Sequence, residues 1–248
     1  MIIIEGLSKK YGKKCLFDNI STIINDGESV AIVGKSGIGK SVLLKHLIGL
    51  ITPDSGSINI DNEIINTQSF KQLQNIREKI GVVFQFGALI DSLSVSDNIY
   101  LALRKLTDLT KEEIDNRIDL VLNEVGMIES KNLKPNELSG GMIKRVSIAR
   151  AIAGKPNYLL YDEPTTGLDP LMVGTINSLM KKIHNDEKVT SIIVTHELKT
   201  IFDVSDRILM LDDAKIIYDG SPYKMKDSNH DIVKNFVSSA YINRELGK

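Results

Sequence analysis

An internal disulfide framework is closed to this chain: among 248 residues it has one cysteine, Cys15, which fits a reducing compartment. None of its four histidines stands at zinc-ligand spacing from a cysteine, so no zinc centre is expected. Long apolar runs are also missing. The most apolar later stretch, "SVLLKHLIGLI", contains Lys45 and His46 and falls well short of the roughly 20 residues that cross a bilayer. Any membrane role is therefore borrowed from another chain. The opening "MIIIEGLSKKYG" is too briefly apolar for a secretion signal and reads as a strand at the true start. Charge of one sign is absent too: 31 basic and 32 acidic residues are well mixed, which gives no footprint for nucleic acid. There is no internal repeat, low-complexity tract or proline-rich linker.

With 42% apolar residues, the chain can bury one large core with an attached subdomain. From Met1 to Gln85, short β-rich runs ("IIIEGL", "CLFDNISTII", "ESVAIVG", "SINI", "IGVVFQ") surround one strong helix from about Lys40 to Leu50. Strand signals stop between Phe86 and Ala153. Helical periodicity replaces them, with Ile114, Ile118, Leu122 and Val125 on one face. Buried strands return in "NYLLYDEP", "TSIIVTHE" and "DRILMLDD", so the helical stretch interrupts one α/β core. The division expected is a core of residues 1–86 and 153–228, a helical insertion of 87–152 and a C-terminal segment of 229–248. In that last segment Ile232, Val233, Phe236, Val237, Ala240 and Tyr241 form a helical stripe expected to pack on its own domain.

The chemistry starts at "AIVGKSGIGKSVLLKHLIGL", a buried strand, a glycine-rich loop and a helix, which match the phosphate-binding loop in sequence and context. Gly34, Lys35, Ser36, Gly37, Ile38 and Gly39 would turn backbone N–H groups toward phosphates, Lys40 would reach the β- and γ-phosphates, and Ser41, followed by Val42, would ligate Mg²⁺. Asp162 and Glu163 end the apolar run "NYLLYDEP". Asp162 is the candidate Mg²⁺ holder and Glu163 the candidate general base for an attacking water. Gln85 and His196 end two other strands. In that company Gln85 can sense Mg²⁺ and water, and His196 can contact the γ-phosphate. Tyr11 could stack on adenine, against a competing reading as a half-buried turn tyrosine.

A second anion-suited element has no lysine at its entrance. In "KPNELSGGMIKRVSIARAI", Ser139, Gly140 and Gly141 present a hydroxyl and bare N–H groups at the start of a helix.

Taken in order, "GKSGIGKS", Gln85, "LSGGM", "LLYDEP", "GLDP" and His196 resemble the nucleotide-binding subunit of ATP-binding cassette (ABC) transporters over nearly the whole chain. The resemblance implies an α/β P-loop NTPase (RecA-like) core with an antiparallel β subdomain and an inserted α-helical subdomain. It implies an ATPase that uses ATP and Mg²⁺ and works as a head-to-tail homodimer. Ser139, Gly140, Gly141 and Met142 would then close on the partner's nucleotide, with Asp169 at the dimer seam. Met142 stands where the family usually has glutamine, and it lacks strong hydrogen-bonding capacity. "LSGGM" with "KRVSIARA", and "FQFGALIDSLSVSDNI" after Gln85, look like the Mla-type ATPases that move phospholipid across the bacterial envelope.

That likeness implies integral-membrane permease subunits, an MCE-domain lipid-binding protein, a STAS-domain accessory subunit, and a place on the cytoplasmic face of the inner membrane. Phe86, Leu89, Ile90 and Leu93 would supply much of the permease groove, or simply pack the insertion. The alternatives are an importer ATPase for amino acids or metals, a cell-division ATPase, a soluble repair or translation ATPase, and a scaffold that binds ATP with little turnover.

Overall fold

The computed structural model describes residues 1–245, with side chains given for all but Thr67 and residues 239–245. Contacts divide the chain into two compact units: Met1–Gln68 with the chain from Ile192 onward, and Ser69–Ser191.

The first unit begins with a hairpin of β1 (Ile2–Tyr11) and β2 (Lys14–Ile24). Gly12, at φ 57°, supplies the positive dihedral that its two-residue turn requires. β3 (Ser29–Val33) follows with every residue buried, as suits a strand covered on both faces. The glycine loop then leads into α1 (Lys40–Leu47), which ends earlier than the apolar run because Gly49 turns left-handed at φ 63°. β4 (Ser55–Ile60) and the short β5 (Glu63–Ile64) complete an antiparallel sheet of order β2-β1-β4-β5.

The second unit opens with α2 (Phe70–Glu78), set by a reciprocal Ser69–Gln72 cap, and β6 (Ile80–Val83). Between β6 and β7 the described residues form helices and turns only. These are α3 (Val95–Leu106), α4 (Lys111–Glu124) and α5 (Gly140–Ala153), the first two started by Ser94–Asp97 and Thr110–Glu113 capping boxes. Ile114, Ile118, Leu122 and Val125 are all buried, as their spacing predicts. β7 (Tyr158–Asp162) pairs in parallel with β6, with Val83 opposite Tyr161. α6 (Pro170–Glu187) starts on an Asp169 cap with proline at its first position.

The chain returns to the first unit within β8 (Thr190–Val194) and continues through α7 (Leu198–Val204), β9 (Arg207–Asp212), β10 (Lys215–Gly220) and α8 (Asp231–Glu245). There β9 lies parallel to β3, Val30 opposite Arg207, and β10 pairs antiparallel with β9. α8 docks as its stripe predicts: Val233 and Val237 are buried beside Ala31, Val33, Ile208 and Met210, with Ile232 and Phe236 packed alongside. The Ala240 and Tyr241 side chains and residues 246–248 lie outside the described residues. Among the described residues no helix is long and apolar enough to cross a membrane.

Candidate nucleotide-binding and hydrolysis residues

The loop after β3 is held in a shape that only glycine allows. Gly34, Gly37 and Gly39 have φ values of 150°, 75° and 113°. A Cβ at Gly34 would lie 2.5 Å from the Leu211 carbonyl oxygen. Lys40 is 8% exposed, and its ammonium donates to the Gly34 and Lys35 carbonyls at 2.8 and 3.1 Å. The loop therefore wraps its own cation at the N-terminus of α1, and such a donor set fits a polyphosphate. Ser41 follows on the first turn of α1, where its hydroxyl suits a hard cation.

The same unit brings two other sequence candidates toward this loop. Lys14 Nζ donates to the Gly37 carbonyl at 2.9 Å, so the hairpin carrying Tyr11 is tied to the loop through its next paired residue. Tyr11 is 49% exposed with Lys9 Nζ 5.5 Å above its ring, the last residue of β1 and open enough to accept a stacking base. His196 is exposed two residues beyond β8. The intervening Thr195 donates its N–H to the Ile32 carbonyl at 3.4 Å, one residue before the strand end that feeds the loop.

Of the remaining histidines, His46 is buried on α1 with its Nδ1 2.7 Å from the Val42 carbonyl, and burial lowers its pKa. His230 is exposed. His184 sits half-buried with Nδ1 3.4 Å from Ser191 Oγ, because α6 lays it against β8.

The second unit holds the acidic candidates. Asp162 ends β7 half-buried, and Glu163 follows it at φ 50°, 9% exposed, with its Oε2 accepting from Thr166 Oγ1 at 2.9 Å. A left-handed conformation is unfavourable for a glutamate and persists where neighbours enforce it. Gln85 lies half-buried two residues past β6. Ser139 caps α5, its Oγ accepting from the Met142 N–H at 3.4 Å, so position 142 enters the cap through backbone and not side chain. Gly140 is exposed with no positive φ, and a Cβ there would meet nothing nearer than Leu168 Cδ2 at 3.7 Å. Asp169 Oδ1 accepts from Leu171 and Met172 N–H groups at 3.0 and 3.1 Å.

Phe86 and Ile90 are exposed at 86% and 44%, whereas Leu89 and Leu93 are half-buried, so only part of the expected apolar surface is open. Sequence reading missed Lys144, which is buried on α5 and donates to the Glu163 carbonyl at 3.2 Å and to the Gln85 carbonyl. Burial lowers its pKa, partly opposed by the Glu163 and Asp162 carboxylates.

The ABC transporter family model matches residues 17–166, more than half of the chain. The chain belongs to the ABC transporter family. As an ABC ATPase subunit it is an enzyme that hydrolyses ATP with Mg²⁺. This ABC subunit is 40% identical to the methionine import ATP-binding protein MetN of Carboxydothermus hydrogenoformans, over 99% of this chain and 74% of that one. It is 35% identical to the intermembrane phospholipid transport ATP-binding protein MlaF of Escherichia coli K12, covering 96% and 88%. Among solved structures, the dimeric post-hydrolysis state of the ATP-binding cassette MJ0796 bound to ADP and Pi superposes with a TM-score of 0.82. That cassette is 33% identical, with 90% of this chain and 99% of that one covered.

Proposed function

We propose that this ABC ATPase is the motor of a membrane transporter that moves phospholipid across the bacterial envelope, working as a head-to-tail homodimer with ATP sandwiched between copies. It sits on the cytoplasmic face of the inner membrane, bound to permease subunits, with an MCE-domain lipid-binding protein as partner and a STAS-domain subunit as accessory. The observation that carries the paired motor is at the α5 entrance. Gly140 is exposed and not needed by its own fold, so the missing side chain there lets something outside the chain come close to the helix start. The post-hydrolysis dimer of MJ0796, a similar cassette, supports the pairing.

In this reading the Gly34–Gly39 N–H groups and Lys40 bind the phosphates, with Lys35, Ser36, Ile38 and Val42 completing the loop and its helix, and Tyr11 stacks on the base. Ser41, Asp162 and Gln85 are the residues that would hold the metal. Mg-ATP supplies the phosphoanhydride bond and the cation that neutralises its oxygens. Glu163 accepts a proton from the attacking water, and His196 orients the terminal phosphate oxygens. From the other copy, Ser139, Gly140, Gly141 and the Met142 backbone hold the same phosphate, and Asp169 reports across the seam.

Lipid as cargo is supported by the "LSGGM" and "FQFGALIDSLSVSDNI" stretches and by MlaF relatives at 35–36% identity. Amino-acid import is the second reading, favoured by MetN at 40% and by the arginine transport protein ArtM of Bacillus subtilis at 41%. Affinity purification of the tagged chain with its membrane partners, followed by reconstitution in proteoliposomes, separates the two. ATP-dependent transfer of labelled phospholipid, lost in Glu163→Gln, is the expected result. Methionine or arginine uptake without lipid transfer would overturn the lipid reading.

A further inference from the structure

A lysine on the buried face of a helix is an expensive occupant where a methionine would fill the same volume. Lys144 is 5% exposed, and its ammonium spans the carbonyls of Gln85 and Glu163. Three residues on, the Ser147 hydroxyl donates to the Ile143 carbonyl of its own helix at 2.7 Å, with the Gly87 carbonyl at 3.2 Å, and six residues on Arg150 donates to the Ala88 and Gly87 carbonyls at 2.5 and 2.7 Å. That spacing puts Lys144 and Arg150 on the same side of α5, both gripping backbone between Gln85 and Ala88, with the Ser147 hydroxyl between them. Gly87, at φ 77°, lies so close to α5 that a Cβ would stand 2.6 Å from Ile143 Cγ2.

Only Lys144 of the three also reaches Glu163, whose left-handed backbone needs outside support. The side chain of Glu163 is held by Thr166 and its carbonyl by Lys144. Both ends of that residue are thereby fixed.

We propose that Lys144 is a positioning residue for hydrolysis: it sets the aim of the Glu163 carboxylate and ties that residue and the Gln85 segment to the helix that begins with Ser139. The inference rests on the reading of Glu163 as general base. Movement of α5 at its signature end is thus passed to the backbone of the catalytic residue through one ammonium group.

The test compares the full-length chain as wild type, Lys144→Met, Lys144→Gln, Glu163→Gln and the Lys144→Met/Glu163→Gln double variant, by Mg-ATP hydrolysis, fluorescent-ATP binding and thermal unfolding. Lys144→Met is expected to bind nucleotide within about twofold of wild type and keep its KM, while kcat falls about 10- to 100-fold. In the Glu163→Gln background the same substitution is expected to change nothing further, because its effect acts through Glu163. Lys144→Gln, which retains a donor, should fall between.

Wild-type turnover in both single Lys144 variants beside a dead Glu163→Gln overturns the inference. So does an additive loss in the double variant, or a loss carried by KM. Failure of both Lys144 variants to fold gives the residue a purely structural role and overturns it as well. Wild-type turnover in Glu163→Gln would instead remove the general-base reading itself, a separate outcome.

Discussion

The phosphate loop and the α5 entrance are both glycine-bearing helix starts suited to an anion, yet Gly140 at the second differs in kind from the loop glycines and from its neighbour Gly141, which packs on Met172. At Gly34, Gly37 and Gly39 the dihedrals themselves demand glycine, and the loop closes round Lys40. At Gly140 nothing in the chain's own geometry forbids a methyl group. One is a loop whose shape is fixed from within; the other is a surface prepared for a visitor. Glycines required by the fold and glycines required by a ligand can be told apart by asking what an added Cβ would hit.

The sharpest way to break this comparison is chemical. Glu163→Gln should lower kcat by about 10²–10⁴-fold, the usual worth of a general base, while leaving nucleotide affinity intact in a steady-state and binding titration. Lys40→Ala should weaken ATP binding by at least about 100-fold, since it removes a charge-assisted contact made by a buried lysine, with calorimetry as the check. Ser139→Arg should leave ATP affinity within about twofold but abolish ATP-driven dimerisation in sedimentation experiments; a persisting dimer would contradict the shared site.

The smallest effect is the most discriminating. Gly34→Ala should destabilise the chain by about 1–3 kcal/mol through its dihedral and the Leu211 carbonyl, whereas Gly140→Ala should leave the melting temperature level or raise it slightly while slowing hydrolysis. Equal destabilisation by both would erase the distinction.

The core strands were legible because β3, β7, β8 and β9 are buried runs rich in branched side chains, and the loop was legible because "GKSGIGKS" joins a strand to a helix. β10 escaped notice. Its residues are mostly half-exposed, and the turn before it uses Asp213 and Ala214 at φ 42° and 63° where a hairpin of this length ordinarily shows asparagine-glycine. α2 was missed because it is short and mostly polar, and only the Ser69–Gln72 pairing announces it.

At the site, each single polar candidate drew meaning from its neighbours in the sequence order. Lys144 could not, since a lysine between Ile143 and Arg145 reads as a solvated cation. Its partners are backbone carbonyls, which every residue has and no sequence displays. The one available signal was the run of donors at 144, 147 and 150 on a helix otherwise apolar around Val146, Ile148 and Ala149.

The left-handed turn at Glu163 carries a warning for anyone engineering this chain. Asparagine tolerates that conformation better than glutamate does, so Glu163→Asn relaxes the backbone at the moment it removes the proton acceptor. Screening by heat resistance would then favour idle motors, and a consensus drawn from sturdy variants would drift away from work.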